Sequence, residues 1–157
     1  MLVDAQRVTP PAQPLTGPGG ATYAYFSYTQ SGPYHVDPLH PTPALSYYLF
    51  EPTGAPATLP VALFLHGYLL PDEGYPKGDS PENYIQWISH IVRNGYTVVF
   101  PIYDYEAVPS QFAPNIISSL QSALVLLQSG SPGLVSPLID TRGVQTVFTG
   151  HSMGAYE

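Results

Sequence analysis

The stretch VFTGHSMGAYE, residues 147–157, decides how this sequence is read. A short apolar run ends at Thr149 and passes directly into Gly150-His151-Ser152-Met153-Gly154, then into small residues suited to a helix start. A serine with glycine two residues to either side fits a tight strand-to-helix turn. The hydroxyl then projects above the sheet, and Gly150 and Gly154 remove side chains that would collide with neighbouring backbone. That turn places Ser152 at the amino end of the next helix, where free N–H groups and the helix dipole favour a developing negative charge. The Met153 N–H is then a natural oxyanion donor.

Upstream, residues 61–65, 96–100 and 144–149 are short, nearly continuous apolar runs, as expected for strands covered on both faces of a parallel sheet. Helical patterns separate them. In SPENYIQWISHIVRNGY, Ile85, Ile88 and Val92 recur at helical spacing, with Ser80 or Asp79 to cap, Pro81 in the first turn and Gly95 as a left-handed stop. In APNIISSLQSALVLLQSG, Ile116, Leu120, Ala123, Leu124 and Leu127 form one stripe that Gly130 terminates. Two aromatic, β-favouring stretches come earlier, ATYAYFSYTQ at 21–30 and LSYYLFEP at 45–52, and read as antiparallel, edge-like strands. The order β, β, β, α, β, α, β predicts an α/β fold with a largely parallel sheet, whose sites lie beyond the carboxyl ends of the strands.

A second unusual sequence sits at such an end, His66-Gly67-Tyr68 after the third strand. Gly67 permits close backbone approach and leaves the Tyr68 N–H as a second donor to an oxyanion at Ser152. At these two motifs the sequence resembles the α/β-hydrolase superfamily, in particular serine esterases and lipases, which carry a strand ending in His-Gly-x and a later Gly-His-Ser-x-Gly. Residues 83–105, NYIQWISHIVRNGYTVVFPIYDY, are similar to the helix and strand between those motifs in bacterial esterase-like members. The resemblance covers about residues 20–157. It implies Ser152 as nucleophile, the Met153 and Tyr68 amides as oxyanion hole, a small-molecule ester as substrate, and neither metal nor cofactor.

The family places the acid and the histidine of its triad after later strands, whereas this sequence ends five residues past Ser152. All five histidines precede the serine. His151 adjoins it on a sharp turn and diverges from the hydroxyl; His66 reads as a packed residue orienting the oxyanion loop; His90 lies on a helix surface; His35 and His40 belong to a Pro-rich loop. Asp104 reads as a turn or helix-capping residue. The resemblance therefore implies an incomplete α/β-hydrolase domain at 21–157, after a Pro/Gly-rich leader at 1–20, with the remaining triad members in sequence beyond it. A different class also fits: a non-catalytic module that binds a small ligand or partner through the same half-sheet.

Composition narrows the partners. With a net charge of −7 and 4 Lys plus Arg among 157 residues, the chain repels phosphate backbones and anionic bilayers, which argues against nucleic acid and basic membrane docking. The most apolar run, residues 59–70, is too short for a membrane span. There is no cysteine, so thiolate catalysis and disulfides are excluded, while localisation and oligomeric state stay open. Asp72, Glu73 and Asp79 lack ordered ligand spacing and read as a solvated loop. Tyr68, Tyr103 and Tyr105 are candidate substrate contacts, and Tyr23, Tyr25 and Tyr28 candidate strand packing.

Overall fold

The computed structural model describes residues 23–55, 59–67, 80–104, 107–129 and 146–155. Five strands, β1 (Tyr28–His35), β2 (Ser46–Pro52), β3 (Val61–Leu65), β4 (Thr97–Ile102) and β5 (Thr146–Gly150), form one sheet. Its spatial order is β1-β2-β4-β3-β5. Helix α1 (Ile85–Arg93) connects β3 to β4, and α2 (Phe112–Ser129) lies between β4 and β5. The β3 strand pairs in parallel with both β4 and β5, while β1–β2 and β2–β4 are antiparallel, with β1 outermost. This is the α/β architecture expected from the alternation of apolar runs and helical stripes, with one correction: β2, read as edge-like, pairs on both sides and is almost wholly buried, so β1 alone of the two antiparallel strands forms an edge.

Period-2 alternation divides the core. Val61, Leu63 and Leu65 of β3 join Tyr47, Leu49, Val99, Phe112, Ile116, Ala123 and Leu127 on the α2 side. Ala62 and Phe64 join Phe50, Val98, Phe100, Ile102, Ile88 and Val92 on the α1 side. Every residue of β3 is buried, because a strand sandwiched between two helices has no solvated face. Leu120 and Leu124 of the expected α2 stripe are partly buried against the same cluster, and Phe112 and Ser119 complete the buried face.

Several boundaries differ from expectation. The first strand begins at Tyr28 and runs through Ser31-Gly32-Pro33, which read as a loop. A register shift between Ser31 and Tyr34 absorbs that turn-forming sequence, with Gly32 at φ 107°, a conformation that favours glycine. Tyr28 packs on Phe50, but Tyr23 and Tyr25 dock on α1 instead of pairing: Arg93 lies 3.8 Å over the Tyr23 ring, and the Tyr25 N–H donates to the Arg93 carbonyl. Strand β4 continues through Pro101 to Ile102; β3 pairs only with residues 97–99, so Pro101 lies beyond that ladder, where a missing N–H is tolerated. Ahead of α1, the segment Pro81–Tyr84 forms a 3-10 turn rather than α-helix. Among the described residues, no helix is long and apolar enough to cross a membrane.

Tyr47 carries a pH dependence. Burial raises its phenol pKa from 10.0, opposed in part by the hydrogen bond with Ser122. The folded state therefore keeps this proton after the unfolded chain has lost it. Stability is unaffected by the group below pH 10.0, and falls as the pH climbs from there towards the raised folded value. Urea midpoints measured between neutral and strongly alkaline pH are expected to drop less steeply in Tyr47→Phe than in the wild type. Equal alkaline slopes refute this assignment.

Candidate active site

The carboxyl ends of three adjacent parallel strands converge: His66 and Gly67 follow β3, Tyr103 and Asp104 follow β4, and residues 151–155 follow β5. Register brings Leu65 opposite Gly150, and the His151 N–H donates to the Leu65 carbonyl at 3.0 Å. The chain then turns through a short 3-10 segment, Ser152–Ala155, closed by the Gly154 N–H donating to the His151 carbonyl at 3.0 Å.

Ser152 sits at φ 54°, and among the described residues it is the only non-glycine with positive φ. That conformation crowds a β-carbon against the following carbonyl and costs roughly 1–2 kcal/mol. Both flanking glycines are required sterically. A Cβ on Gly150 would lie 2.1 Å from the Gly154 carbonyl oxygen, and a Cβ on Gly154 would lie 2.5 Å from that of Leu65. The turn is thus folded tightly on itself and pressed against the end of β3. Ser152 is exposed at its crest.

The Gly67 backbone reaches this turn. A Cβ there would meet the His151 Nδ1 at 2.9 Å and the Ser152 Cβ at 3.2 Å. Three side-chain hydrogen bonds hold the loop. The Gly67 N–H donates to the Tyr84 hydroxyl at 2.9 Å, the Tyr103 hydroxyl donates to the His66 carbonyl, and the His66 Nδ1 lies 3.0 Å from the Gly67 carbonyl. A carbonyl only accepts, so His66 carries a proton on Nδ1. Its ring is fully buried, stacked on Tyr103 with centroids 4.3 Å apart and on Phe100 at 5.4 Å. Its Nε2 faces the Asp104 Oδ1 at 3.7 Å.

Of the residues singled out from sequence, Gly150, Ser152, Met153, Gly154, His66 and Gly67 are brought together, while Tyr68 lies outside the described residues, as do Tyr105 and the acidic loop at 72–79. Tyr103, read as a substrate contact, is instead fully buried behind His66. Asp104 takes part in a turn, as read from the sequence, its carbonyl accepting the Ala107 N–H at 3.1 Å, and its carboxylate faces His66. Tyr84 escaped the sequence reading altogether. The His151 ring leaves the serine and packs on Tyr84 and Trp87, with centroids 5.7 and 5.8 Å apart. Together with Asn83 and Gln86 these three line an open concavity of about 310 Å³.

The other histidines are committed elsewhere. His90 pairs with Tyr23 across α1, His40 with Asp37 in an exposed loop, and His35 sits on β1, at the edge of the sheet opposite β5.

No protein-family model matches this chain, and no curated protein matches it. Among solved structures it is similar to one described as the crystal structure of a C4-C4 SN3 tributyrin phosphonate inhibited by esterase B from Lactobacillus rhamnosis. The TM-score is 0.57 at 18% identity, and the match covers 87% of this chain and 40% of that one. The class defined is an α/β fold shared with that structure. The chain spans two fifths of the length of the esterase it matches.

Proposed function

We propose that the protein is a serine hydrolase of small carboxylic esters, with Ser152 as the nucleophile. The observation that carries this reading is the positive φ of Ser152, an exposed residue held on a strained turn that only its two glycines permit. Strain of this kind persists where the surroundings enforce it, and a plain helix-capping serine needs none.

In the proposed reaction the Ser152 oxygen bonds to the ester carbonyl carbon while a histidine takes its proton. The tetrahedral oxyanion is held by the Met153 N–H and the Tyr68 N–H. Collapse breaks the bond to the alcohol, which leaves with that proton, and water then releases the acid by the reverse sequence. The Gly67 N–H is engaged by Tyr84, so the loop's donor falls to the residue that follows. The histidine and its carboxylate partner are assigned to sequence beyond these 157 residues, because each of the five histidines here is turned away or distant from Ser152. That same dispersal is what favours the second reading, a non-catalytic binding module.

A fluorophosphonate probe separates the two. The full-length protein is expected to take up one equivalent at Ser152 and none in Ser152→Ala, with p-nitrophenyl esters of increasing chain length then defining the acyl preference. An unlabelled full-length protein, or equal labelling of the alanine variant, favours the binding module.

A further inference from the structure

We propose that Tyr84 is a positioning residue for the loop that faces Ser152: its hydroxyl holds the Gly67 peptide in place against the serine turn. The inference rests on the serine-hydrolase reading and extends it to a residue that no motif marks.

Gly67 is gripped from two sides. Its N–H donates to the Tyr84 hydroxyl at 2.9 Å, and its carbonyl accepts from His66 Nδ1 at 3.0 Å. The grip matters because the Gly67 backbone runs so close to the serine turn that an added Cβ would meet His151 Nδ1 at 2.9 Å and Ser152 Cβ at 3.2 Å. A shift of about 1 Å in a group this close to the reacting atoms is enough to cost on the order of 100-fold in rate. Tyr84 itself is anchored independently of its hydroxyl. Its ring packs against Phe64 with centroids 5.3 Å apart, Phe100 at 5.9 Å and His151 at 5.7 Å. The 3-10 turn Pro81–Tyr84 that opens α1, with Pro81 buried, sets the position of that ring. One aromatic side chain therefore ties the leading end of α1, the loop after β3 and the turn after β5 together. His66 secures the carbonyl from within the loop, whereas Tyr84 secures the N–H from another element, so the two grips are separable by mutation.

Tyr84→Phe keeps the ring contacts and deletes only the acceptor, which makes it the informative variant. In the full-length protein it is expected to lower kcat for p-nitrophenyl esters, and the rate of fluorophosphonate labelling, by about 10- to 100-fold with KM changed less than about twofold. Amide hydrogen exchange provides a readout independent of turnover: the Gly67 amide is expected to exchange at least about 10-fold faster in Tyr84→Phe, with the β3 amides unchanged. Wild-type rates and unchanged Gly67 exchange overturn the proposal. Faster exchange with wild-type kcat overturns the positioning role while leaving the bond in place. If the wild-type protein takes no label at Ser152, the hydrolase reading fails, and Gly67 exchange alone then decides whether Tyr84 holds the loop.

Discussion

Ser152→Gly is expected to hydrolyse esters on the order of 10⁶-fold more slowly than the wild type and yet to be more stable than Ser152→Ala. Both variants remove the proposed nucleophile, so both are expected to lose turnover to the same extent. They differ in the backbone. At φ 54° alanine retains the clash between its β-carbon and the following carbonyl, whereas glycine has no β-carbon to clash. Relief of roughly 1–2 kcal/mol is set against glycine's larger loss of chain entropy on folding, roughly 0.5–1 kcal/mol. The net advantage of glycine is therefore about 1 kcal/mol, read as a Tm higher by about 2–4 °C for a domain of this size. A site that stores strain for function predicts this opposition between stability and activity. If the glycine variant melts at or below the alanine variant, Ser152 is not strained, and the observation on which the proposed function stands is lost.

Gly150→Ala is expected to destabilise the protein by about 3 kcal/mol and to reduce labelling of Ser152 by at least about 10³-fold. The added Cβ would lie 2.1 Å from the Gly154 oxygen, 2.5 Å from the Gly154 carbonyl carbon and 2.9 Å from the Ala155 nitrogen. All three are backbone atoms, so no side chain can swing away to make room. The turn must open, and Met153 N–H moves with it. Gly54→Ala is the matched control, since that glycine also has positive φ, 76°, but has nothing within 4 Å of an added Cβ. It is expected to cost about 1 kcal/mol and to leave labelling unchanged. Urea unfolding and probe kinetics on the two variants check the pair. Similar stability losses in both would show that the crowding at Gly150 is relieved without opening the turn.

Residues 61–65 were legible as a central strand because an unbroken apolar run of five residues has few other places to go than between two covering layers. The α2 stripe was legible for a similar reason, since Ile116, Ala123 and Leu127 face the sheet at helical spacing. The start of β1 was not. Strand-favouring aromatics at 23–26 competed with the Ser-Gly-Pro sequence at 31–33, and pairing with β2 through an irregular register decided in favour of the latter. Propensity is local, whereas the paired residues of the partner strand lie 11 to 24 positions away.

The α/β class, the strand-to-turn passage around Ser152 and the glycines that the passage requires are written in local sequence, because each depends on residues a few positions apart, whose sterics and periodicity act along the chain. The surroundings of the loop at His66 and Gly67 come instead from long-range packing. Tyr84 is 17 residues from its partner Gly67 and Tyr103 is 37 from His66, so neither hydrogen bond leaves a local pattern. Tyr103 changed from a substrate contact to a buried prop, and Asp104, read as a turn or capping residue, was found in its turn with a carboxylate that faces His66, because strand order sets β4 beside β3. Which residue meets which across a sheet is a matter of global packing, and sequence spacing alone does not encode it.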